Sequence, residues 1–261
     1  VQLREQMGEA VLTEQRRQMI LDILTREGRA LAGQLARDWN VSEDTIRRDM
    51  RDMAADGLLK RVHGGALPMA PVLPDFSARQ GVATEEKQRL AAAAIRLLSP
   101  RQMVFLDGGT TTAEIARQIP REMALTIVTH APTIAAEFEH HPAVEVILIG
   151  GRLYKHSMVA VGATAIAAID RLRPDIFFLG VTATHPVEGL TTGDFEEAAI
   201  KRRIIERSAA TYVPLTADKL DAVSPCLVAR LPEITGLIVA TGNGADGLMG
   251  YREAGVEIVV A

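Results

Sequence analysis

The chain has 261 residues, 48% of them hydrophobic and 24% charged, a balance that supports packed domains, one small and one medium, and excludes wholesale disorder. A single cysteine, Cys226, excludes an internal disulfide framework, and no thiol pair with a histidine cluster offers a metal site, so a reducing cytoplasm without a bound metal is expected. The net charge of −4 gives no bulk signal for nucleic acid, and no run approaches about eighteen uninterrupted apolar residues, so neither export nor a membrane span is expected.

In chain order, a first helix is predicted from Thr13 as N-cap to Gly28 as stop, with Met19, Ile20, Ile23 and Leu24 at helical spacing. Leu31, Leu35 and Ala36 mark a short second helix. The chain then turns through "DWNV", and Ser42 opens a third helix, where its hydroxyl can accept an otherwise unpaired backbone N–H. On this helix Ile46, Met50 and Met53 form a buried seam. At roughly 100° per residue Arg48 points away from that seam, Arg47 and Arg51 share one flank, and Thr45 lies on the other. Asp49 and Asp52 sit elsewhere on the wheel and can pair with basic neighbours. Residues 1–68 hold eleven Lys plus Arg against eleven Asp plus Glu, so any case for DNA rests on direction, not on charge count. A solvated helix laced with pairs such as Asp44 and Arg48 is the competing reading. Context favours the helix-turn-helix, whose last helix enters the major groove N-terminal end first. Beyond it, Leu58 to Val62, a Gly64-Gly65 turn and then Ala66 and Leu67 read as a hairpin wing carrying Lys60, Arg61 and His63.

Val41, Ser42, Thr45, Ile46, Arg47, Arg48, Asp49, Gly57, Arg61, His63, Gly64 and Gly65 stand at the spacing of "VS..T.RRDL..L...G...R.HGG". The segment thus resembles the N-terminal module of DeoR-type bacterial transcriptional regulators. The resemblance implies that Thr45, Arg47 and Arg48 contact bases or phosphates of double-stranded operator DNA, and that Arg61 and His63 hold the wing against its backbone. With Ser42, Arg51, Lys60 and Gly64 these are the expected DNA-binding residues. Each arginine has two roles open to it, guanine recognition or phosphate positioning, and His63 can equally be a plain turn residue.

Pro68, Pro71 and Pro74 favour an extended linker. The expected division is a winged helix-turn-helix at 13–68, a linker at 69–83 and an α/β domain at 84–261 that senses effector and oligomerises. In the last region "MVFLD", "LTIVT", "VEVILIG", "DIFFLGV", "ATYVPLT", "GLIVAT" and "VEIVVA" alternate with helices near 84–98, 112–118, 131–140, 162–171, 195–208 and 245–254. The predicted fold class is therefore a small N-terminal all-α winged helix-turn-helix plus a larger α/β domain with a mostly parallel sheet. Ligands of such sheets bind beyond the strands' carboxyl ends. There Asp107 closes a strand, Gly108 and Gly109 allow close backbone approach, and Thr110, Thr111 and Thr112 lead into a helix, a geometry suited to phosphate. An ordinary turn capped by Thr111 is the alternative. Glu197 and Lys201, four apart after Asp194, face one side of a helix and are a candidate pair or a simple surface salt bridge. Lys219 is a further cation at a strand's end.

"LDGGTTT", "IGGRLY....VAVG" and "GLTT.D.EEA..K" resemble the DeoR sensor domain, which is similar to ribose-phosphate isomerases and coenzyme A transferases. The resemblance implies a phosphorylated sugar or polyol as effector and a dimer or tetramer; no cofactor is expected. Asp107, Gly108, Gly109, Thr110, Thr111, Thr112, His130, Gly151, Asp194, Glu197, Lys201 and Lys219 are the expected effector-binding residues. Three positions depart from the family pattern: His130 replaces a common Asn, Thr216 a common Asp, and Asp218 directly precedes Lys219. The expected function is a DNA-binding regulator, a repressor of sugar or polyol catabolism genes. The alternative is an aldose-ketose phosphate isomerase-like enzyme carrying a DNA module, with Asp107, Asp194 or Glu197 as base. A sugar-kinase-like fold needs two related halves, and only one "DGGTTT" turn is present.

Overall fold

The computed structural model describes residues 2–70, 74–240 and 245–261, with side chains for all of these but 2–12 and 245–246. Two compact units emerge, Val1–Pro71 with Asp221–Val223, and Val72–Leu220 with Ser224–Ala261. Pro71 of the expected linker lies outside the described residues.

In the first unit, helix α1 (Gln2–Glu27) buries Ile20 and Leu24. It stops where Gly28 takes a φ of +67° while its N–H still reaches the Leu24 carbonyl at 3.0 Å. Two expectations fail here. Thr13 does not cap, because the helix already runs from Gln2, and Met19 is 43% exposed, outside the seam. Leu31 belongs not to the second helix but to a short strand, β1 (Ala30–Leu31), followed by α2 (Ala32–Asp38). After a turn in which Asn40 adopts φ +53°, α3 (Glu43–Ala55) opens under the Ser42 hydroxyl, which accepts the Thr45 N–H at 3.1 Å. Ile46, Met50 and Met53 are fully buried against α1 and α2 residues.

Strands β2 (Leu59–Val62) and β3 (Gly65–Pro68) pair antiparallel with Val62 opposite Gly65, so the turn is His63-Gly64, one residue earlier than the glycine pair suggests. Gly65 instead sits under β1, which pairs with the other edge of β3, giving a three-stranded wing of order β1-β3-β2. A Cβ on Gly65 would lie 2.0 Å from the Ala30 carbonyl oxygen, which explains the need for glycine in a strand that has no left-handed φ there. Residues 221–223 join this unit through a parallel bridge between Met69 and Val223.

The second unit begins with α4 (Phe76–Arg79), helical rather than extended as the prolines suggested, because the Asp75 carboxylate caps it at the Ala78 N–H, 3.0 Å away. Then come α5 (Thr84–Ile95), β4 (Met103–Leu106), α6 (Thr110–Gln118), β5 (Leu125–Thr129), α7 (Pro132–Ala136), β6 (Val144–Leu148), β7 (Arg152–Tyr154), β8 (Val159–Val161) and α8 (Ala163–Ile169). They are followed by β9 (Ile176–Phe178), β10 (Ala183–His185), β11 (Gly189–Thr192), α9 (Phe195–Arg207), β12 (Ala210–Leu215), β13 (Cys226–Ala229), β14 (Gly236–Val239), α10 (Met249–Glu253) and β15 (Glu257–Val260). Seven strands form one parallel sheet in the order β15-β14-β12-β9-β4-β5-β6. Its central strands are apolar on both faces, as a sheet covered by helices requires; Val104, Phe105, Leu106, Phe177 and Phe178 are fully buried.

From β4 the chain winds outward through β5 and β6, then returns to the other side of β4 to build β9, β12, β14 and β15. The winding direction therefore reverses between β4 and β9, and a crevice opens at their carboxyl ends. Register pairs Leu106 with both Phe178 and Thr129. The next residues out of the sheet, Asp107, Leu179-Gly180 and His130, are thereby brought side by side.

Candidate DNA-reading face and effector site

On α3 the buried seam leaves Arg47, Arg48 and Arg51 exposed. Arg47 is held by Glu43, with N–H···O distances of 2.6 and 3.0 Å, in place of the Asp44–Arg48 pair considered from sequence. Arg48 and Arg51 have no ion-pair partner among the described residues and project freely. Thr45 is half-buried, its hydroxyl 2.8 Å from that of Ser42. Two of the four acidic residues that cancel the arginines by count, Asp49 and Asp52, are engaged elsewhere. Asp49, 3% exposed, accepts from Arg16 Nε at 2.8 Å, and Asp52 accepts from Arg17 at 2.9 Å. These two bonds latch α3 to α1 and withdraw two carboxylates from the face that carries Arg48 and Arg51. Lys60, Arg61, His63 and Gly64 are exposed on the wing, where Gly64 takes φ +85°.

In the second unit Asp107 is fully buried. Its Oδ1 accepts the Gly108 N–H at 2.7 Å and lies 2.8 Å from His130 Nε2; its Oδ2 accepts the Gly180 N–H at 2.8 Å and Lys201 Nζ at 2.5 Å. Burial pushes this carboxyl up, but the Lys201 charge and the His130 bond outweigh it and hold it well below the usual carboxylate range. Lys201, 2% exposed, also donates to the Gly180 carbonyl at 2.9 Å and pairs with Glu197 at 3.3 Å. Burial alone would lower its amine, yet Asp107 and Glu197 raise it, so it stays charged. The Glu197–Lys201 pair is thus an interior ion pair, not a surface one. Ser157 and Thr192 hydroxyls lie 3.4 Å from the remaining Glu197 oxygen.

His130 is enclosed: its Nδ1 lies 2.9 Å from the Ala160 carbonyl and its own carbonyl accepts the Ala160 N–H at 2.7 Å. It braces Asp107 from behind and presents no surface to the crevice. Gly108 cannot carry a side chain, since a Cβ there would lie 2.2 Å from a Val159 methyl, and Gly109 adopts φ +140°. Helix α6 opens at Gly109, two residues before the expected cap Thr111; the Thr112 hydroxyl donates back to the Gly109 carbonyl at 2.9 Å. Its first N–H groups, on Thr110, Thr111 and Thr112, face out of the helix end. Lys219 follows β12 in a short turn and is half-buried. Burial lowers its amine to about 8; Asp218 opposes this, while Arg79, Lys201 and Lys87 repel the charge further. Asp194 is used as N-cap of α9, accepting the Glu197 N–H at 2.9 Å. Gly151 packs against the Val161 carbonyl and Ala165 rather than beside Asp107. Thr216, where the family pattern has Asp, is buried.

Gly180, Ser157, Thr192, Arg79 and Lys87 were not among the residues singled out from sequence. Gly180 ends a strand that adjoins β4 only in the folded sheet, so its glycine was the sole local signal. No group of three or more His, Cys, Asp or Glu among the described residues is placed to hold a metal ion, and no described helix is long and apolar enough to cross a membrane.

A winged helix-turn-helix with exposed arginines, on the same chain as a parallel α/β unit with a buried Asp107–Lys201–Glu197 network at its switch point, defines a DNA-binding regulator of two parts. Residues 16–70 match the DeoR-like helix-turn-helix domain, and residues 82–241 match the DeoR C terminal sensor domain. The chain is 33% identical over 252 residues to the HTH-type transcriptional regulator GlpR of Haloferax volcanii, covering 95% of this chain and 98% of that one. It is 31% identical over 205 residues to the glycerol-3-phosphate regulon repressor of Escherichia coli K12, covering 78% and 81%. It is also 31% identical to a putative aga operon transcriptional repressor of Escherichia coli O157:H7, over 95% and 94%. Ribose 5-phosphate isomerase A of Methanocaldococcus jannaschii aligns with 52% of this chain and 54% of its own at 14% identity and a TM-score of 0.40. The chain belongs to the DeoR family of transcriptional regulators, and the isomerase-like enzyme alternative is not favoured.

Proposed function

We propose that this protein is a repressor of sugar or polyol metabolism genes, acting in the cytoplasm as a dimer or tetramer, whose affinity for operator DNA is set by a phosphorylated sugar or polyol bound in its second unit. The observation that carries the effector reading is the crevice between β4 and β9. There the Gly109 N–H, the first N–H groups of α6 and the Lys219 amine offer hydrogen bonds and positive charge to a phosphate, next to an interior Asp107–Lys201–Glu197 network that fixes the backbone. The glycerol-3-phosphate regulon repressor among the relatives supports a small phosphorylated polyol or sugar. Ser42, Thr45, Arg47, Arg48, Arg51, Lys60, Arg61, His63 and Gly64 make up the DNA-facing set, with Arg48 and Arg51 as the main donors. Two reading heads are needed because one short helix and wing seldom supply enough affinity alone.

A thermal-shift panel of phosphorylated sugars and polyols beside their unphosphorylated parents tests the effector. Stabilisation by at least one ester and by none of the parents is expected; stabilisation by a neutral sugar alone overturns the phosphate reading. On the DNA side, fragments selected from a random pool by the wild-type protein serve as probe. Changing Arg48 and Arg51 together to alanine should weaken their binding by about a hundredfold or more, with effector-induced stabilisation unchanged. Retained specific binding would remove α3 from the reading face.

A further inference from the structure

Three cations lie close together without belonging to the Asp107–Lys201–Glu197 network: Arg79 at the end of α4, Lys87 in α5, whose neighbour Glu86 holds the Ala217 N–H, and Lys219 in the turn that follows. Lys87 is buried and its amine donates to the backbone carbonyls of Arg79, at 3.0 Å, and of Val82. It thereby pins the short segment that carries Arg79. Arg79 is half-buried, and its Nε–H, shut off from solvent, has no acceptor among the described residues. Burial lowers its pKa, opposed by the charges of Glu197 and Asp75. Lys219 is repelled by Arg79, Lys201 and Lys87 at once.

The carboxylates nearby act on this group only through space, because most are bonded to other donors. Glu197 is committed to Lys201, Asp75 caps α4 at Ala78 and accepts from Ser77, and Glu86 accepts the Ala217 N–H at 2.9 Å. Asp218, which opposes the lowering of the Lys219 amine, is exposed to solvent. Like charges gathered at a half-buried place, one of them with an orphaned donor, destabilise the fold unless an anion spans them. A guanidinium supplies two parallel N–H groups, which suits a tetrahedral oxyanion better than a point charge does.

Resting on the reading of the crevice as an effector site, we infer that Arg79, pinned by Lys87 and acting with Lys219, forms the subsite that grips a doubly charged phosphate group and selects it over singly charged or neutral ligands. Arg79 lies in the stretch of chain that leads from the DNA-binding unit into the second unit, so a ligand held there engages that stretch directly. The source of the oxyanion is the phosphate of the effector or free inorganic phosphate, and the test separates the two.

Titration calorimetry on the full chain with inorganic sulfate, inorganic phosphate and the best ester of the thermal-shift panel provides the test. Sulfate keeps its double charge, so its affinity should be level from pH 6 to 7 and fall above about 8, where the Lys219 amine loses its proton. Phosphate should weaken also toward low pH as its second proton returns. Arg79→Gln should weaken sulfate and ester alike by about tenfold or more, and Arg79→Lys by a smaller factor. The exposed control Arg252→Gln should change neither. A circular dichroism spectrum and thermal transition like the wild type's confirm the fold of Arg79→Gln; if that variant does not fold, Arg79→Lys carries the test. Undiminished ester and sulfate binding in the variant tested overturns the inference while leaving the effector reading standing. If the wild type binds no anion at all, both fall. Tight ester binding without measurable sulfate or phosphate binding identifies the effector as the source, provided the Arg79 loss persists.

Discussion

Lys219 and Asp107 respond to pH in opposite senses. The folded-state value of Lys219, about 8, lies below its ordinary 10.5. Between those values the unfolded chain holds more protons, so stability rises with pH across that window, and below it the cost of the buried charge is complete. Lys219→Met should therefore flatten the rise between pH 8 and 10.5 and lift Tm at pH 7 by roughly 3 °C, measured by calorimetry without added anion. Asp107 is depressed below its ordinary 3.8, so its contribution is whole above that value and is lost only as pH falls through the lower folded value. Lys201 is raised above 10.5, so its share is whole below that value. Asp107→Asn, which leaves Lys201 buried with only Glu197, should cost about 3 kcal/mol in urea unfolding, the same at pH 5 as at pH 9. A cost that varied across that range would mean that another group titrates within the cluster. The sequence made the Glu197–Lys201 spacing legible, but not its burial, because the group that buries it is Asp107, far away in the chain. His130 shows the same limit: its place at the end of a strand was readable, its enclosure behind Asp107 was not.

At the scale of elements, local signals were readable and pairings were not. The Ser42 cap and the Ile46, Met50, Met53 seam depend only on residues within one helix, and both stand in the structure. The alternation of strands and helices likewise gave the parallel sheet, since each buried strand reads as an apolar run. The two-residue strand β1 has no periodicity to detect, and the strands of the small antiparallel sheets β7-β8 and β10-β11-β13 have only three or four residues each. What betrays β1 is Gly65, whose missing side chain makes room for it. Gly65→Ala should force β1 away from β3 and destabilise the DNA-binding unit by about 2 kcal/mol. Gly64→Ala, with φ +85° but nothing within 4 Å of the added atom, should cost about 1 kcal/mol. Chemical unfolding of the two variants gives the comparison, and a larger loss at Gly64 would mean that the wing is two-stranded in solution.

At the scale of the whole chain, the polypeptide passes between the two units three times, and residues of the proposed effector site precede or follow two of these passages in the sequence. One is the run from Ala70 to Arg79; the other is the step from Lys219 to Asp221, where the chain enters residues grouped with the first unit. A ligand that engages Arg79 and Lys219 therefore acts on residues at both connections. If it changes operator affinity a hundredfold, the coupling is about 2.7 kcal/mol, within reach of a few charge-assisted hydrogen bonds made differently in two states. Linkage then fixes a quantitative consequence: saturating operator DNA must change effector affinity by that same factor and in the same direction. The Arg48→Ala, Arg51→Ala double variant, unable to hold DNA, should give one effector affinity with or without it. Calorimetric titration of effector into free and DNA-bound protein measures both sides. An effector that shifts DNA affinity while its own affinity ignores DNA would mean that it competes for protein assembly or another partner rather than for the conformation of a single complex.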